Sequence, residues 1–247
     1  MRAMGEDHGL HAGRTVIVAG GTGNVGRVLV GRFLDAGATV VVPSRSAGKL
    51  EDLRADIDAD VADRLITIEG DIGDEETAPK LVEAIVSRHG PIHAAVATLG
   101  RFVPVESVLE ASASQLEQVV DGYLVGHFVA ARALIPAIEA EGSYTLINGP
   151  LAFRPMFARA SLVSTVTAAQ AMLARLLMDQ VERVRVNEVV LYTPFGWSDD
   201  DAMRAPVAQE DVAAYVSLLA SERGASVRGE TIHLDSPRSL EDLQAAR

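Results

Sequence analysis

Short runs of β-branched and other apolar residues alternate along the chain with longer segments in which apolar positions recur every three to four residues. The runs are 15–19, 39–42, 65–69, 92–98, 144–148, 184–191 and 231–234, seven segments of strand length. Between them, stripes such as Val25, Leu29, Phe33 and Leu34, or Leu116, Val119, Val120, Tyr123 and Leu124, put apolar side chains on one helical face. Strands that alternate with helices pair in parallel, because a parallel neighbour is reached only through a crossover connection. The pattern predicts an α/β chain: a single-domain Rossmann fold with a doubly wound, seven-stranded parallel sheet flanked by helices.

No linker-like composition and no repeat interrupts the alternation, so residues 14–247 read as one domain. Residues 1–13 carry glycines, charges, His8 and His11 without an apolar period, and read as a disordered N-terminal lead. The least regular stretch, 193–208, holds Trp197 and the run Asp199-Asp200-Asp201. It follows the sixth strand at the sheet edge where ligands collect in open α/β folds. Three adjacent aspartates do not share a helix face, so the run reads as a solvated helix start, and no metal site is expected.

Composition narrows the functions open to such a fold. With 34 acidic against 22 basic residues the net charge is −12, which repels a nucleic-acid backbone in the absence of a basic patch. The chain has no cysteine, which removes disulfides, thiolate metal sites and cysteine nucleophiles together. No uninterrupted apolar run approaches the ~20 residues of a membrane helix, and the expected setting is cytoplasmic, with no membrane partner.

The candidate chemistry begins at Gly20-Gly21-Thr22-Gly23-Asn24-Val25-Gly26, between the first strand and the first helix. Glycines at 20, 23 and 26 have the spacing that turns a backbone tightly, lets it approach a pyrophosphate and lets helix and sheet pack closely. A helix starting near Asn24 offers free N–H groups and a positive dipole end to phosphates. After the second strand, an acidic residue would favour NAD through the ribose 2′-hydroxyl. This chain has Pro43-Ser44-Arg45-Ser46, and Arg45, beside Ser44, suits the 2′-phosphate of NADP.

With these residues the chain resembles the short-chain dehydrogenase/reductase family from about Arg14 to Asp235. Glu69-Gly70-Asp71-Ile72 is similar to the family segment that contacts adenine, which makes Asp71 and Ile72 candidates. Arg185-Val186-Asn187 and the closing Gly229-Glu230-Thr231-Ile232-His233-Leu234-Asp235 also match. The resemblance implies an oxidoreductase ancestry and a homo-oligomer paired through the helices around 116–138 and 157–180.

The likeness breaks where family reductases do their chemistry, with a tyrosine, a lysine four residues later, a serine and an asparagine. Those positions fall here on Val163, Thr167, Gly149 and Tyr123, and 149–180 contains neither tyrosine nor lysine. Ala97-Thr98-Leu99-Gly100 keeps only the glycine of the family's Asn-Asn-Ala-Gly, and Leu191-Tyr192-Thr193 stands where a Pro-Gly supports the nicotinamide. Tyr123 and His127, four apart on one helix face, form a candidate relocated acid that competes with a core role for Tyr123. Asn148, Arg154, Arg159 and Tyr192 are further candidates for the cleft rim, with Arg154 and Arg159 flanking Met156 and Phe157. The reading is an NADP(H)-binding member of the family without the Tyr/Lys carbonyl-reduction machinery. Three uses stay open: a reaction that needs no phenolic proton, including a non-redox step; a cofactor-sensing or partner-binding scaffold; and a vestigial cofactor site. The substrate is not legible.

Overall fold

A computed structural model describes residues 9–193 and 206–240. Seven strands, β1 (Thr15–Ala19), β2 (Thr39–Ser44), β3 (Leu65–Glu69), β4 (Ile92–Ala97), β5 (Ile138–Asn148), β6 (Arg185–Leu191) and β7 (Thr231–Leu234), form one parallel sheet in the order β3-β2-β1-β4-β5-β6-β7. The sheet predicted from alternation is therefore present, strand for strand. β5 starts six residues earlier than its apolar run suggests, because Ile138 pairs with Ile92 before an irregularity in the β4–β5 register.

The helices cover both faces. On one side α1 (Asn24–Asp35), α2 (Ala47–Ala55) and α8 (Gln209–Ala220) enclose a core that includes Val16, Val18, Leu29, Phe33, Val189 and Leu219. On the other, α4 (Ala78–His89), α6 (Gly126–Leu134) and α7 (Ser161–Gln180) enclose Ile17, Ile85, Leu134, Tyr144, Leu146 and Val186. Short α3 (Ala59–Ala62) leads into β3, and α5 (Ala113–Val119) runs through a wide π turn (Val120–Val125) into α6. Alternate β6 side chains serve the two layers: Val186 faces α7, while Arg185 is buried beneath α8 and donates to the carbonyls of Leu219, Ser221 and Gly224.

By mean hydropathy two helical stretches, 113–137 at 1.2 and 158–180 at 1.3, reach the range of membrane-crossing segments, although neither is an uninterrupted apolar run. Their core-facing residues, among them Val129, Leu134, Val166 and Ala174, are buried in the domain, so the sheet accounts for much of their apolar character.

One expectation is corrected. Residues 9–13 are not a disordered lead: His11 is 2 % exposed, its backbone N–H donates to Ala36 O at 2.8 Å, and its ring stands edge-on to Phe33 at 5.2 Å. Its Nε2 lies 2.9 Å from Ser217 O and 3.1 Å from Ser217 Oγ. The segment lacks periodicity because one side chain anchors it, in the gap between the ends of α1 and α8. Residues 1–8 and the aspartate run lie outside the described residues.

His11→Ala removes this bond and the ring contact together, and should cost about 2 kcal/mol. Thermal denaturation should show a fall of roughly 4–8 °C; unchanged melting would mean that residues 9–13 rest on the domain without stabilising it.

Candidate functional site

The strand order reverses between β1 and β4, and the crevice this leaves at the carboxyl ends of the strands is where the glycine turn sits. Gly20 has φ +86°, and a Cβ there would lie 2.3 Å from Thr98 O, so only glycine fits where the turn crosses under the β4 exit. A Cβ on Gly26 would meet Gly20 O at 2.2 Å; Gly26 does not reach the groove, and its smallness is what lets α1 rise directly from the turn. Gly23 is the N-cap of α1 and no side chain occupies the cap, nor is there an acidic residue in the first turn. A helix start without a side-chain cap or an acidic first turn suits a phosphate.

Two connected hollows follow the crevice, sharing Gly23 and the turn 98–100. The smaller, about 290 Å³, is lined by Gly20, Thr22, Ser44, Arg45, Asp71 and Ile72, which brings together the residues assigned to the adenosine half. Arg45 is 81 % exposed and lies 3.5 Å from Asp71 Oδ2, while Asp71 Oδ1 accepts from Gly73 N at 2.8 Å. Lys49 and Arg101 line the same hollow and escaped the sequence reading. The signal for Lys49 was present: it is three residues past the Ser46 cap of α2, whose Oγ accepts from Lys49 N, so it belongs to the helix start that faces the β2 exit.

The larger hollow, about 780 Å³, is reached past Asn24 and Val25 and lined by Tyr123, Gly149, Val163 and Thr167. The four positions that the resemblance assigns to chemistry thus line one cavity. Val163 is 3 % exposed and belongs to a small apolar cluster with Val103, Val119, Leu162 and Val166. The Thr167 hydroxyl is spent on Val163 O at 2.7 Å. Asn148, Arg154 and Tyr192 line the cavity as expected of rim residues, but Arg159 does not.

Tyr123 and His127 do face the same turn, and they separate in function. The ring of Tyr123 packs on Gly100, where φ is +134° and a Cβ would come within 2.3 Å of the ring. Half-buried, it reaches past the turn into the cavity, and its hydroxyl has no partner among the described residues. Burial raises its pKa above the ordinary 10, so the phenol stays protonated and donates. His127 lies one helical turn deeper and is fully buried, with Nε2 3.2 Å from Leu99 O and 3.3 Å from Leu99 N. Burial lowers its pKa to about 4, against a smaller rise from the Leu99 carbonyl. As a cleft acid His127 is therefore corrected: it holds the 98–100 turn from beneath and does not reach the cavity.

Behind the cavity wall stands a buried carboxylate that the sequence reading missed. Glu188, fully buried in β6, accepts from Asn148 Nδ2 at 2.8 Å and from the Thr231 hydroxyl at 3.1 Å. Asn148 also donates to Thr167 O at 3.3 Å and accepts from Gly149 N at 2.8 Å. Desolvation raises the Glu188 pKa, and the bonds from Asn148 and Thr231 partly oppose it. At the mouth, the Tyr192 hydroxyl is 3.0 Å from His233 Nδ1, Phe153 stands edge-on to the His233 ring at 4.8 Å, and the Arg154 guanidinium lies over the Tyr192 ring at 5.9 Å.

The family profile described as short chain dehydrogenase matches residues 14–194. An uncharacterised oxidoreductase of Mycobacterium tuberculosis is 26 % identical over 249 residues, covering 93 % of this chain and 94 % of that one. The 3-phenylpropionate-dihydrodiol/cinnamic acid-dihydrodiol dehydrogenase of Escherichia coli is 25 % identical over 243 residues, covering 91 % and 87 %. Among solved structures, a short chain dehydrogenase from Burkholderia cenocepacia in complex with NADP superposes with a TM-score of 0.80 at 22 % identity, covering 91 % and 97 %. One from Mycobacterium smegmatis gives 0.79 at 24 % identity, covering 94 % and 95 %.

The buried imidazole fixes a pH dependence. Folded His127 takes a proton near pH 4, whereas the unfolded ring does so near 6.5. Its contribution to stability is full above pH 6.5 and is lost as pH falls toward 4, by up to about 3 kcal/mol. His127→Gln should flatten this part of the curve, read from urea midpoints at several pH values between 7.5 and 4; an unaltered slope would assign the acid sensitivity to another group.

Proposed function

The chain belongs to the short-chain dehydrogenase family, and on that premise we propose that it binds NADP(H) but lacks the Tyr/Lys machinery of carbonyl reduction. The observation that carries this reading is the fate of Val163 and Thr167. Both face the cavity, both are almost fully buried, and the only hydroxyl between them is bonded to the helix backbone. Neither can pass a proton to a substrate oxygen or lower the pKa of a neighbouring phenol.

The residues of the adenosine half fit the cofactor. The bare N-terminus of α1 and the close-packed glycine turn suit a pyrophosphate, Asp71 and Ile72 border the place for adenine, and Ser44 and Arg45 with Lys49 and Arg101 suit a 2′-phosphate. When bound, the nicotinamide supplies hydride chemistry. What this chain adds is a protonated phenol at Tyr123, a cation at Arg154 and a partly apolar wall. A phenol kept protonated can donate to an oxygen but cannot act as the base that alcohol oxidation requires. The solved relative in complex with NADP supports the cofactor assignment. We take the protein to be a cytoplasmic homo-oligomer, on the strength of exposed Leu116, Phe128, Met172 and Leu176 along α5, α6 and α7.

Fluorescence titration should find NADPH bound more tightly than NADH, and Arg45→Ala should weaken NADPH about tenfold while leaving NADH nearly unchanged. Equal affinities would remove the 2′-phosphate assignment, and binding of neither would leave the groove vestigial.

A further inference from the structure

The larger cavity carries its own statement about what it holds, because nearly all of its polar side chains are already spent. Away from the two turns that border the phosphate half, Asn148 is bonded to Glu188, Thr167 O and Gly149 N. The hydroxyls of Thr167 and Thr193 donate to Val163 O and Val207 O, and Gln170 Nε2 donates to Ile147 O at 3.0 Å. Gln170 Oε1 has no partner but is sealed beneath the surface. The Tyr192 hydroxyl is paired with His233. Among the described lining residues two side-chain donors are left over, the neutral phenol of Tyr123 and the guanidinium of Arg154, and neither has a hydrogen bond or ion pair with another described residue.

The rest of the wall is apolar and flat: Leu151, Met156, Phe157 and Leu191 join the rings of Tyr123 and Tyr192. Arg154 lies over one of those rings, which holds its planar fork at the edge of an aromatic surface, where a carboxylate can be gripped by two N–H groups at once. Among the described lining residues the one carboxylate, Asp235, is exposed and has no ion pair with another described residue. Arg154, without a hydrogen bond or ion pair among the described residues, is a cation beside an apolar surface, and it suits an anion that also has an apolar body.

We propose that this cavity binds a small aromatic carboxylic acid, its ring against Phe157 and Tyr192 and its carboxylate on Arg154. This deepens the reading of the cavity as the substrate half of a cofactor groove, and its chemistry rests on the lining alone. The Tyr123 hydroxyl is left to donate to a further oxygen on the natural ligand.

The test is calorimetric titration with 2-naphthoate, with the same-shaped neutral 2-naphthamide and with octanoate, in the presence and absence of saturating NADP⁺. The acid should bind at least about tenfold more tightly than the amide, and Arg154→Gln should erase that difference by weakening the acid alone. Arg159→Gln, in the same loop but off the cavity, should leave the preference intact. Equal binding of acid and amide, no binding of naphthoate, or loss of the preference in Arg159→Gln would overturn the proposal; octanoate binding more tightly than naphthoate would overturn its aromatic part. NADP⁺ affinity is read in its own titration. A protein that prefers the acid through Arg154 yet binds no NADP⁺ keeps this inference and loses the cofactor reading; the opposite result does the reverse.

Discussion

The structure depends first on the reversal of strand order at β1. Because β2 and β3 lie on one side of it and β4 to β7 on the other, the connections leave β1 and β4 in opposite directions and open a crevice between them at their carboxyl ends. The glycine turn enters that crevice from β1, and the 98–100 turn enters it from β4, tied by Thr98 N to Ala19 O at 2.9 Å. Both hollows are bounded by these two turns. The site is therefore a property of the sheet order, and it persists whatever side chains later line it.

That separation leaves the side chains of the cavity free to differ without a change of fold. The positions at 163 and 167 lie on α7, a long helix already buried against β5 and β6. Val163 extends the apolar surface around Val119 and Val166, and the Thr167 hydroxyl is bonded to Val163 O, whereas an unpaired lysine there would carry the cost of a desolvated charge. A polar network stands behind the wall. Glu188, Asn148 and Thr231 form a bonded chain across β5, β6 and β7, which fixes the Asn148–Gly149 corner from the rear and spends the amide that would otherwise face the cavity.

How much of this could be read from residues alone follows from the range of the interactions involved. The strands and the glycine turn were legible because they are local patterns: period, β-branching and glycine spacing act within a few residues. The convergence of Tyr123, Gly149, Val163 and Thr167 was legible only through the family resemblance, since they come from three separate segments. His11 was misread because a single anchoring side chain, bonded to Ser217 more than 200 residues away, has no period to detect. His127 was misread because its spacing from Tyr123 gives the face of the helix but not the depth. Glu188 sits inside an apolar strand run, and only the three-dimensional pairing shows which amide and hydroxyl hold its carboxylate.

The turn at 98–100 is where these constraints meet. From one side it is fixed by the ladder bond of Thr98 and by the buried ring of His127 at Leu99; from the other, the ring of Tyr123 rests on Gly100 with no room for a Cβ between them. A turn held on both sides is a rigid wall common to the phosphate hollow and the apolar cavity. It gives Tyr123 a fixed position with no partner for its hydroxyl among the described residues, and with Arg154 that hydroxyl is one of two donors on the cavity that a ligand oxygen can meet. Gly100 is the residue whose lack of a side chain makes that placement possible.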